Sequence, residues 1–369
     1  TMPNNNSDPL FQLIKSLTKA EKRYFKLYVN KSKGTDDTKF LKLFDLIDKQ
    51  KDYNEDKILE KENTIKGQQL SNLKAHLYRQ ILKSLRSINT DEDLDIRIRE
   101  MLDHASILYN KCLYDQCLKM LEKAKQTAEK YEKNLLLLEI TEFEKRLVTR
   151  FIRSNIEDKV SCLIKASSQI TEKISNINSF SNLTIKLYSF YLKIGFLRNN
   201  KDFELVNSFL YSTLPVFQED KLSFDEKMFL YNSFVGYYFF IQDFERGHEY
   251  AKKWVNLFEE NSHLKASKIE MYIRALNNLL VSQSKLHKYD EFIISIQKLD
   301  LIKEIEELKL TENVRLLLFK YTATHKINRY FMLGEFTEGS QIIPEIAKSL
   351  EEFEHLLDTH YITIFYYKF

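Results

Sequence analysis

Residues that could do catalytic chemistry are scattered along this sequence. Of the eight histidines, the closest pair, His355 and His360, is five residues apart, so the two would not share a helix face. The sequence has no G-x-S-x-G, H-E-x-x-H or C-x-x-C motif, and no glycine-rich loop that could hold a phosphate group. Its many acidic residues are typical of solvated helix faces. We therefore predict that the protein is not an enzyme and holds no metal and no cofactor.

The three cysteines, Cys112, Cys117 and Cys162, cannot all pair, and reduced thiols are typical of a cytosol. No segment approaches the ~20 apolar residues that a membrane-spanning helix requires. The longest uncharged run, Met228 to Gln242, is too short, and the first nine residues lack the charged and apolar blocks of a signal peptide. We expect a cytoplasmic protein.

Phosphate binding is the chemistry that a basic helix over residues 68–88 could offer. Arg79, Lys83 and Arg86 lie away from its apolar stripe, and no acidic residue occurs between Asn63 and Thr90. This helix and the segment before it resemble a helix-turn-helix, which implies that the three basic side chains would contact DNA phosphates. The alternative is a basic face that meets water or docks on an acidic part of the same chain.

Charge divides the sequence into two segments. Residues 8–90 carry 18 Lys and Arg against 11 Asp and Glu, whereas residues 91–369 carry 38 against 42. Glycine (7) and proline (4) are rare, so the sequence has few of the residues that favour turns and β-hairpins. We predict an all-α protein with a small basic helical domain at 8–90, followed by a second domain at 91–369.

The clearest element of the second domain is a helical hairpin over residues 223–260. Ser223 and Glu226 form a capping box, which predicts that a helix begins there. Apolar residues then recur at helical spacing in two stripes, which Gln242 and Asp243 separate. Gly247 lies near the start of the second helix, where a larger side chain would push the first helix away. Such a hairpin leaves apolar surface exposed and requires similar neighbours.

Similar hairpins recur along residues 91–369. A turn hydrophobe separates two amphipathic stripes six times, at spacings of 42, 47, 41, 45 and 47 residues: Tyr114, Ile156, Phe203, Phe244, Tyr289 and Phe336. The first helices are predicted near 92–111, 135–153, 181–198, 223–241, 263–286 and 311–333. The second helices are predicted near 115–132, 156–176, 202–214, 244–260, 289–308 and 336–354. A period in this range is typical of a helical solenoid.

Two of the repeats resemble tetratricopeptide repeats. Phe244 and Phe336 match the turn aromatic of that family, and Gly247 and Gly339 match its small residue three positions later. Ala251 and Trp254 follow at the expected helical steps. The period exceeds the family's roughly 34 residues, and the other units keep only the turn hydrophobe. The chain thus resembles the degenerate, long-helix branch of the superfamily, which includes many uncharacterised bacterial proteins, and the resemblance implies a right-handed solenoid of about six and a half pairs.

In tetratricopeptide proteins the first helix of each pair lines a peptide-binding groove, so the resemblance implies that the non-core faces of these helices bind protein or peptide. Asparagine can pair with both polar groups of a peptide backbone, and arginine can hold a carboxylate. The alternative is that these polar residues simply face water. The candidates are Tyr188, Tyr191 and Arg198, then Asn232, then Arg274, Asn277 and Asn278, and finally Tyr321, Thr324, His325 and Asn328.

The chain ends in half of a seventh first helix, which begins near Asp358 and has no partner helix. We expect the array to continue beyond residue 369 in the natural protein, and any dimer through this edge to be an effect of truncation. The favoured function is a non-enzymatic scaffold or adaptor that binds protein or peptide. The alternative is a transcriptional regulator, with DNA on residues 8–90 and a peptide signal in the solenoid.

Overall fold

The computed structural model describes residues 8–32, 37–61, 67–90, 93–150, 156–195, 200–305 and 310–353. Within these ranges the chain is all-helical, with 17 α-helices, three short 3-10 helices and no β-strand. The prediction of an all-α protein is therefore confirmed. The predicted C-terminal half-helix and Arg198 lie outside the described residues.

The α-helices are α1 (Pro9–Ser16), α2 (Lys19–Ser32), α3 (Asp37–Lys49), α4 (Glu55–Lys61), α5 (Gly67–Asn89), α6 (Leu94–Asn110), α7 (Tyr114–Lys130), α8 (Asn134–Val148), α9 (Ile156–Ile194), α10 (Asn200–Thr213), α11 (Phe224–Phe240), α12 (Phe244–Glu260), α13 (Ser262–Lys265), α14 (Ile269–Lys285), α15 (Tyr289–Leu301), α16 (Glu312–Leu333) and α17 (Phe336–Phe353). Most of the helices after residue 91 begin within a few residues of the predicted positions. The helix predicted from residue 263 is broken, because α13 and a 3-10 turn precede α14.

The helices pack into two compact units, Thr1–Ala124 and Lys125–Phe369, which we call unit 1 and unit 2. The division lies inside α7, whereas the sequence analysis placed a domain boundary at 90/91. The basic segment 8–90 falls within unit 1. Each unit has buried apolar residues of its own.

Unit 1 is built on aromatic and aliphatic side chains from α1 to α5. Phe25 and Phe44 are fully buried, with ring centroids 4.9 Å apart. At the edge of this core, Lys74 Nζ lies 2.6 Å from Asp8 Oδ2 and donates a hydrogen bond of 2.6 Å to the Tyr53 hydroxyl. The same Asp8 caps α1, because its Oδ1 accepts a hydrogen bond from the backbone N–H of Phe11 at 2.9 Å. One carboxylate thus joins the first helix to α5.

In unit 2, most helices pack against a neighbour in the chain: α8 on α9, α9 on α11, α11 on α12, α12 on α14, and α16 on α14 and α17. The hairpin α11–α12 begins where the sequence predicted it, and Glu226 accepts hydrogen bonds from the N–H and hydroxyl of Ser223 at 2.9 and 2.7 Å. Trp254 and Phe258 of α12 are fully buried. The two apolar stripes of this hairpin are therefore core, as predicted.

Helix α9 corrects the sequence analysis. Two helices were predicted, at 156–176 and 181–198, but Ile156–Ile194 is one helix of 39 residues, about 58 Å long. The first glycine or proline after Ile156 is Gly195, which adopts a left-handed conformation (φ 75°) and donates its N–H to the Tyr191 carbonyl at 2.8 Å. No earlier residue ends the helix, so α9 continues without a break to Ile194. The first half of α9 packs on α8, and the second half packs on α10 and α11.

One turn conformation recurs between helices that follow each other in the chain. A residue with positive φ stands two positions before the first residue of the next helix, and only the last of these residues is glycine: Cys112 (58°), Glu132 (53°), Gln242 (62°), His287 (54°) and Gly334 (71°). The left-handed conformation reverses the chain in a short turn. The sequence analysis found the turn hydrophobes but missed this shared backbone geometry, because four of the five residues are not glycine.

Candidate peptide-binding surface

The candidate surface is formed by the second half of α9 with α11, α14 and α16. Helices α9 and α11 run side by side in register, because the Thr184 and Ser233 hydroxyls lie 2.8 Å apart and the Tyr191 and Phe240 rings meet edge to face at 6.4 Å. Helices α14 and α16 are joined by Asn277 and His325, described below. Two pairs of the helices that carry the predicted groove residues, α9 with α11 and α14 with α16, therefore pack side by side.

Three predicted residues converge from three different helices. Burial raises the pKa of the Tyr321 hydroxyl on α16. The Arg274 guanidinium on α14 opposes this shift and the Tyr188 hydroxyl on α9 adds to it, so both lie close enough to act on Tyr321 through space. Tyr188 is 59% exposed, and Arg274 is exposed with no ion pair among the described residues. Two tyrosines and an arginine from three helices therefore lie near one another, and Lys320 Nζ lies 5.4 Å from the centre of the Tyr321 ring.

The register of α9 and α11 places two further residues beside Tyr188. Asn232 adjoins Ser233, and Gly236 lies one turn later, between Ser233 and Phe240. A Cβ built on Gly236 would meet no atom within 4 Å, so the space above this turn of α11 is open. We call the surface formed by Tyr188, Asn232, Gly236, Arg274 and Tyr321 the α9–α16 surface.

His325 does not lie on this surface, because it is fully buried between α14 and α16. Its Nε2 lies 2.9 Å from Asn277 Oδ1, and its Nδ1 lies 3.5 Å from Asn328 Nδ2. Both ring nitrogens of His325 therefore lie within hydrogen-bond distance of an asparagine side chain. The three side chains hold α14 to α16, and the predicted role of His325 in peptide contact finds no support in its position.

The other predicted groove residues are less available than Tyr188. Asn278 is partly buried and donates to the Arg274 carbonyl of its own helix at 3.0 Å. Tyr191 is 39% exposed and packs on Phe240, while Thr324 is partly buried.

An exposed apolar stripe borders Tyr188 on α9. Ile185 and Leu192, three residues before and four after it, share its face and are 68% and 62% exposed. Neither residue was predicted from the sequence to contribute to a site, because their spacing also suits a core. Exposed aliphatic side chains in contiguous positions mark interaction surfaces more often than isolated ones do.

Acidic residues are absent from the parts of these four helices that carry the candidate residues. No Asp or Glu occurs in residues 173–194 of α9, 227–240 of α11, 271–285 of α14 or 313–333 of α16. The acidic residues concentrate on the partner helices, such as α12 with Glu245, Glu249, Glu259 and Glu260. This segregation is visible in the sequence, but its place in the structure depends on how the helices pack.

A separate cleft of about 840 Å³ lies between the α7–α8 turn, the middle of α9 and residues 216–226. Glu132 lines it, and burial raises the pKa of this carboxyl, as does the nearby Asp225; the backbone N–H of Asp225 donates to Glu132 and opposes the shift. Burial also raises the pKa of Asp225, although Lys268 Nζ lies 2.8 Å from its Oδ1. Glu132 accepts a backbone N–H in the first turn of α11, and the Asp225 carboxyl pairs with Lys268. We assign both carboxyls a structural role.

The predicted nucleic-acid residues lie on α5 of unit 1. Arg79, Lys83 and Arg86 are all exposed on one helix face, as their spacing predicted. Arg86 Nη2, however, lies 2.6 Å from Asp103 Oδ2 of α6, so an acidic partner already occupies it.

No protein-family model, curated protein or solved structure matches the chain. In the part of the chain that the structure describes, no helix is long and apolar enough to cross a membrane. Over the same residues, no three His, Cys, Asp or Glu side chains gather in a way that could hold a metal ion.

Proposed function

We propose that the protein is a non-enzymatic scaffold or adaptor that binds a segment of another protein on the α9–α16 surface. The exposed stripe of Ile185, Tyr188 and Leu192 on α9 carries this proposal, together with the exposed guanidinium of Arg274 on α14. Tyrosine and arginine are the side chains most enriched where protein partners meet, because each combines a large apolar area with a directed polar group. Arg274 has no acidic partner among the described residues, so a ligand could supply one.

The proposed architecture of unit 2 is a right-handed solenoid of helical hairpins similar to tetratricopeptide repeats. Three observations support it: most helices pack on chain neighbours, the turn with positive φ recurs, and Gly247 and Gly339 allow the two helices of a pair to approach closely. The long helix α9 departs from a regular array, since it replaces the turn between the second and third pairs.

Site-specific photo-crosslinking tests the proposed function. Benzoylphenylalanine in place of Tyr188 should capture a discrete protein from lysate, and an excess of unmodified protein should abolish the crosslink. The same substitution at Tyr211, which is 70% exposed on α10 away from this surface, is the matched control. Crosslinks that are identical at the two positions, or none that the unmodified protein competes away, would contradict the proposal.

A second candidate function, duplex DNA binding by unit 1, is favoured by the shared exposed face of Arg79, Lys83 and Arg86. The ion pair between Arg86 and Asp103 weighs against it, because DNA would have to displace a carboxylate. An electrophoretic mobility shift at two salt concentrations, with the Arg79→Gln/Lys83→Gln/Arg86→Gln variant as control, decides the matter. Retention that falls with salt and is lost in the variant supports DNA binding, and no retention at low salt excludes it.

A further inference from the structure

The α9–α16 surface carries enough chemical information to name the class of segment that it would bind. This step rests on the proposed function and concerns the ligand's chemistry. Four independent features bear on it: the exposed apolar stripe of α9, the available cation on α14, the open space above Gly236 and the absence of acidic residues.

Charge defines the first requirement. The side chains that define the α9–α16 surface include one cation, Arg274, and a second, Lys320 Nζ, lies 5.4 Å from the centre of the Tyr321 ring. No Asp or Glu occurs in residues 173–194 of α9 or beyond the first turns of α11, α14 and α16. A carboxylate that approaches Arg274 therefore meets no like charge from these segments, whereas a basic ligand finds no partner on them. Charge complementarity thus favours a ligand with an acidic side chain.

Apolar area defines the second requirement. Ile185, Tyr188 and Leu192 expose 68%, 59% and 62% of their surface on one side of α9. Large apolar side chains of a ligand would remove this stripe from water and contribute binding free energy in proportion to the area buried.

Gly236 defines the third requirement. A glycine in the middle of a helix lowers helix stability relative to alanine, and Gly247 and Gly339 are kept small by rings that pack against them. At Gly236, by contrast, no atom of the described chain would contact a Cβ, so packing within the chain does not require glycine there. A glycine at such a position permits the close approach of another backbone. The α9–α16 surface therefore fits an extended segment that crosses α11 at this turn.

We propose that the α9–α16 surface binds an extended internal segment of a partner protein in which Asp or Glu side chains stand among large apolar side chains. Its backbone crosses α11 at Gly236, one carboxylate pairs with the Arg274 guanidinium, and its apolar side chains cover Ile185, Tyr188 and Leu192.

Fluorescence anisotropy with the full chain tests this proposal. The probe is a fluorescein-labelled dodecapeptide of alternating glutamate and leucine or phenylalanine, amidated so that it has no terminal carboxylate. Two matched peptides replace every glutamate with glutamine or with lysine. We expect saturable binding of the glutamate peptide, weaker binding at higher ionic strength, and at least about tenfold weaker binding of both matched peptides.

Three variants place the binding on the α9–α16 surface. Arg274→Gln should weaken binding of the glutamate peptide about tenfold or more, whereas Arg246→Gln, the same change on α12, should leave it unchanged. Gly236→Leu should weaken binding without lowering the melting temperature, because its Cβ enters open space. A lower affinity in a variant that is no less stable cannot come from partial unfolding.

Several results would overturn the proposal. Equal binding of the glutamine or lysine peptide contradicts the charge requirement, and unchanged binding in Gly236→Leu contradicts the path across α11. A peptide that binds only when its own terminal carboxylate is free contradicts the internal segment. If no peptide binds at up to about 1 mM while Tyr188 crosslinks still form competitively, the ligand class is wrong and the scaffold function stands; if the crosslinks are also absent, both fail.

Discussion

A Cβ on Gly247 would lie 2.6 Å from Cδ1 and Cε1 of the Phe239 ring. The Phe239 ring of α11 therefore occupies the space that a side chain at position 247 of α12 would need. The sixth pair repeats the arrangement, since a Cβ on Gly339 would lie 2.9 Å from Tyr330 Cβ. In each pair the glycine comes three residues after the turn aromatic, as the sequence resemblance implied.

We expect Gly247→Leu to lower the free energy of unfolding by about 1–3 kcal/mol, because the new side chain overpacks against Phe239. The matched control is Gly236→Leu, which makes the same change in the middle of α11 where the Cβ site is open. The control should stabilise the protein by about 0.5–1 kcal/mol through helix propensity. Urea unfolding measures both variants, and equal stability changes would mean that the close approach at Gly247 is not a constraint.

The recurring turn predicts a reciprocal pair of substitutions. His287 adopts φ 54°, a conformation that costs a non-glycine residue about 1–2 kcal/mol. His287→Gly should therefore raise the melting temperature. Gly334 occupies the equivalent position at φ 71° in the sixth pair, so Gly334→Ala should lower the free energy of unfolding by about 1 kcal/mol. If both variants shift stability in the same direction, backbone strain does not govern these turns.

Glu132 should make stability depend on pH. Burial raises its pKa in the folded protein, so the folded state binds this proton more tightly than the unfolded chain does. The free energy of unfolding consequently rises as the pH falls through the raised pKa, and the cost of the buried charge is fully present above it. We expect Glu132→Gln to stabilise the protein at neutral pH, with a gain that disappears near pH ~4.

Chemical denaturation across this pH range measures the effect of Glu132→Gln. Glu129→Gln, in which the altered side chain is exposed on α7, provides the control and should reproduce the wild-type profile. A constant offset between Glu132→Gln and wild type at every pH would show that the substitution acts through packing.

Asp8 of unit 1 has two separable roles. Asp8→Asn keeps an oxygen for the Phe11 N–H but removes the charge that faces Lys74, whereas Asp8→Ala removes both. We expect Asp8→Ala to destabilise unit 1 by about 1 kcal/mol more than Asp8→Asn, the usual contribution of an N-cap. Denaturant unfolding of the full chain, with hydrogen exchange in α1 and α5, measures the stability of each variant. Equal stabilities of the two variants would mean that the N-cap hydrogen bond contributes nothing.

The sequence predicted the helices well because apolar spacing and the turn hydrophobe both report local geometry. It missed the continuity of α9, since a change of apolar face without glycine or proline looks the same whether a helix ends or continues. Tyr188, Arg274 and Tyr321 were proposed as groove residues from the family resemblance, which identifies helix faces, and their role stays a prediction. His325 was predicted to face the groove, but it is buried against α14. The residues that one helix buries against a neighbouring first helix cannot be recognised from the sequence of that helix alone. Gly236 and Gly247 differ only in what surrounds them, which a sequence does not contain.

The continuity of α9 bears on how unit 2 folds. In an array of separate hairpins, unfolding can spread from an end and stop at any turn. A stop inside the 39-residue α9 would leave orphan carbonyls and N–H groups in mid-helix, where no left-handed residue caps them. When unfolding reaches α9, we therefore expect the whole helix to unfold. Helices α8, α10 and α11 would then lose their packing contacts with α9 at the same time. This helix makes its neighbours one cooperative block, with amide protection that changes as a single step along residues 156–194.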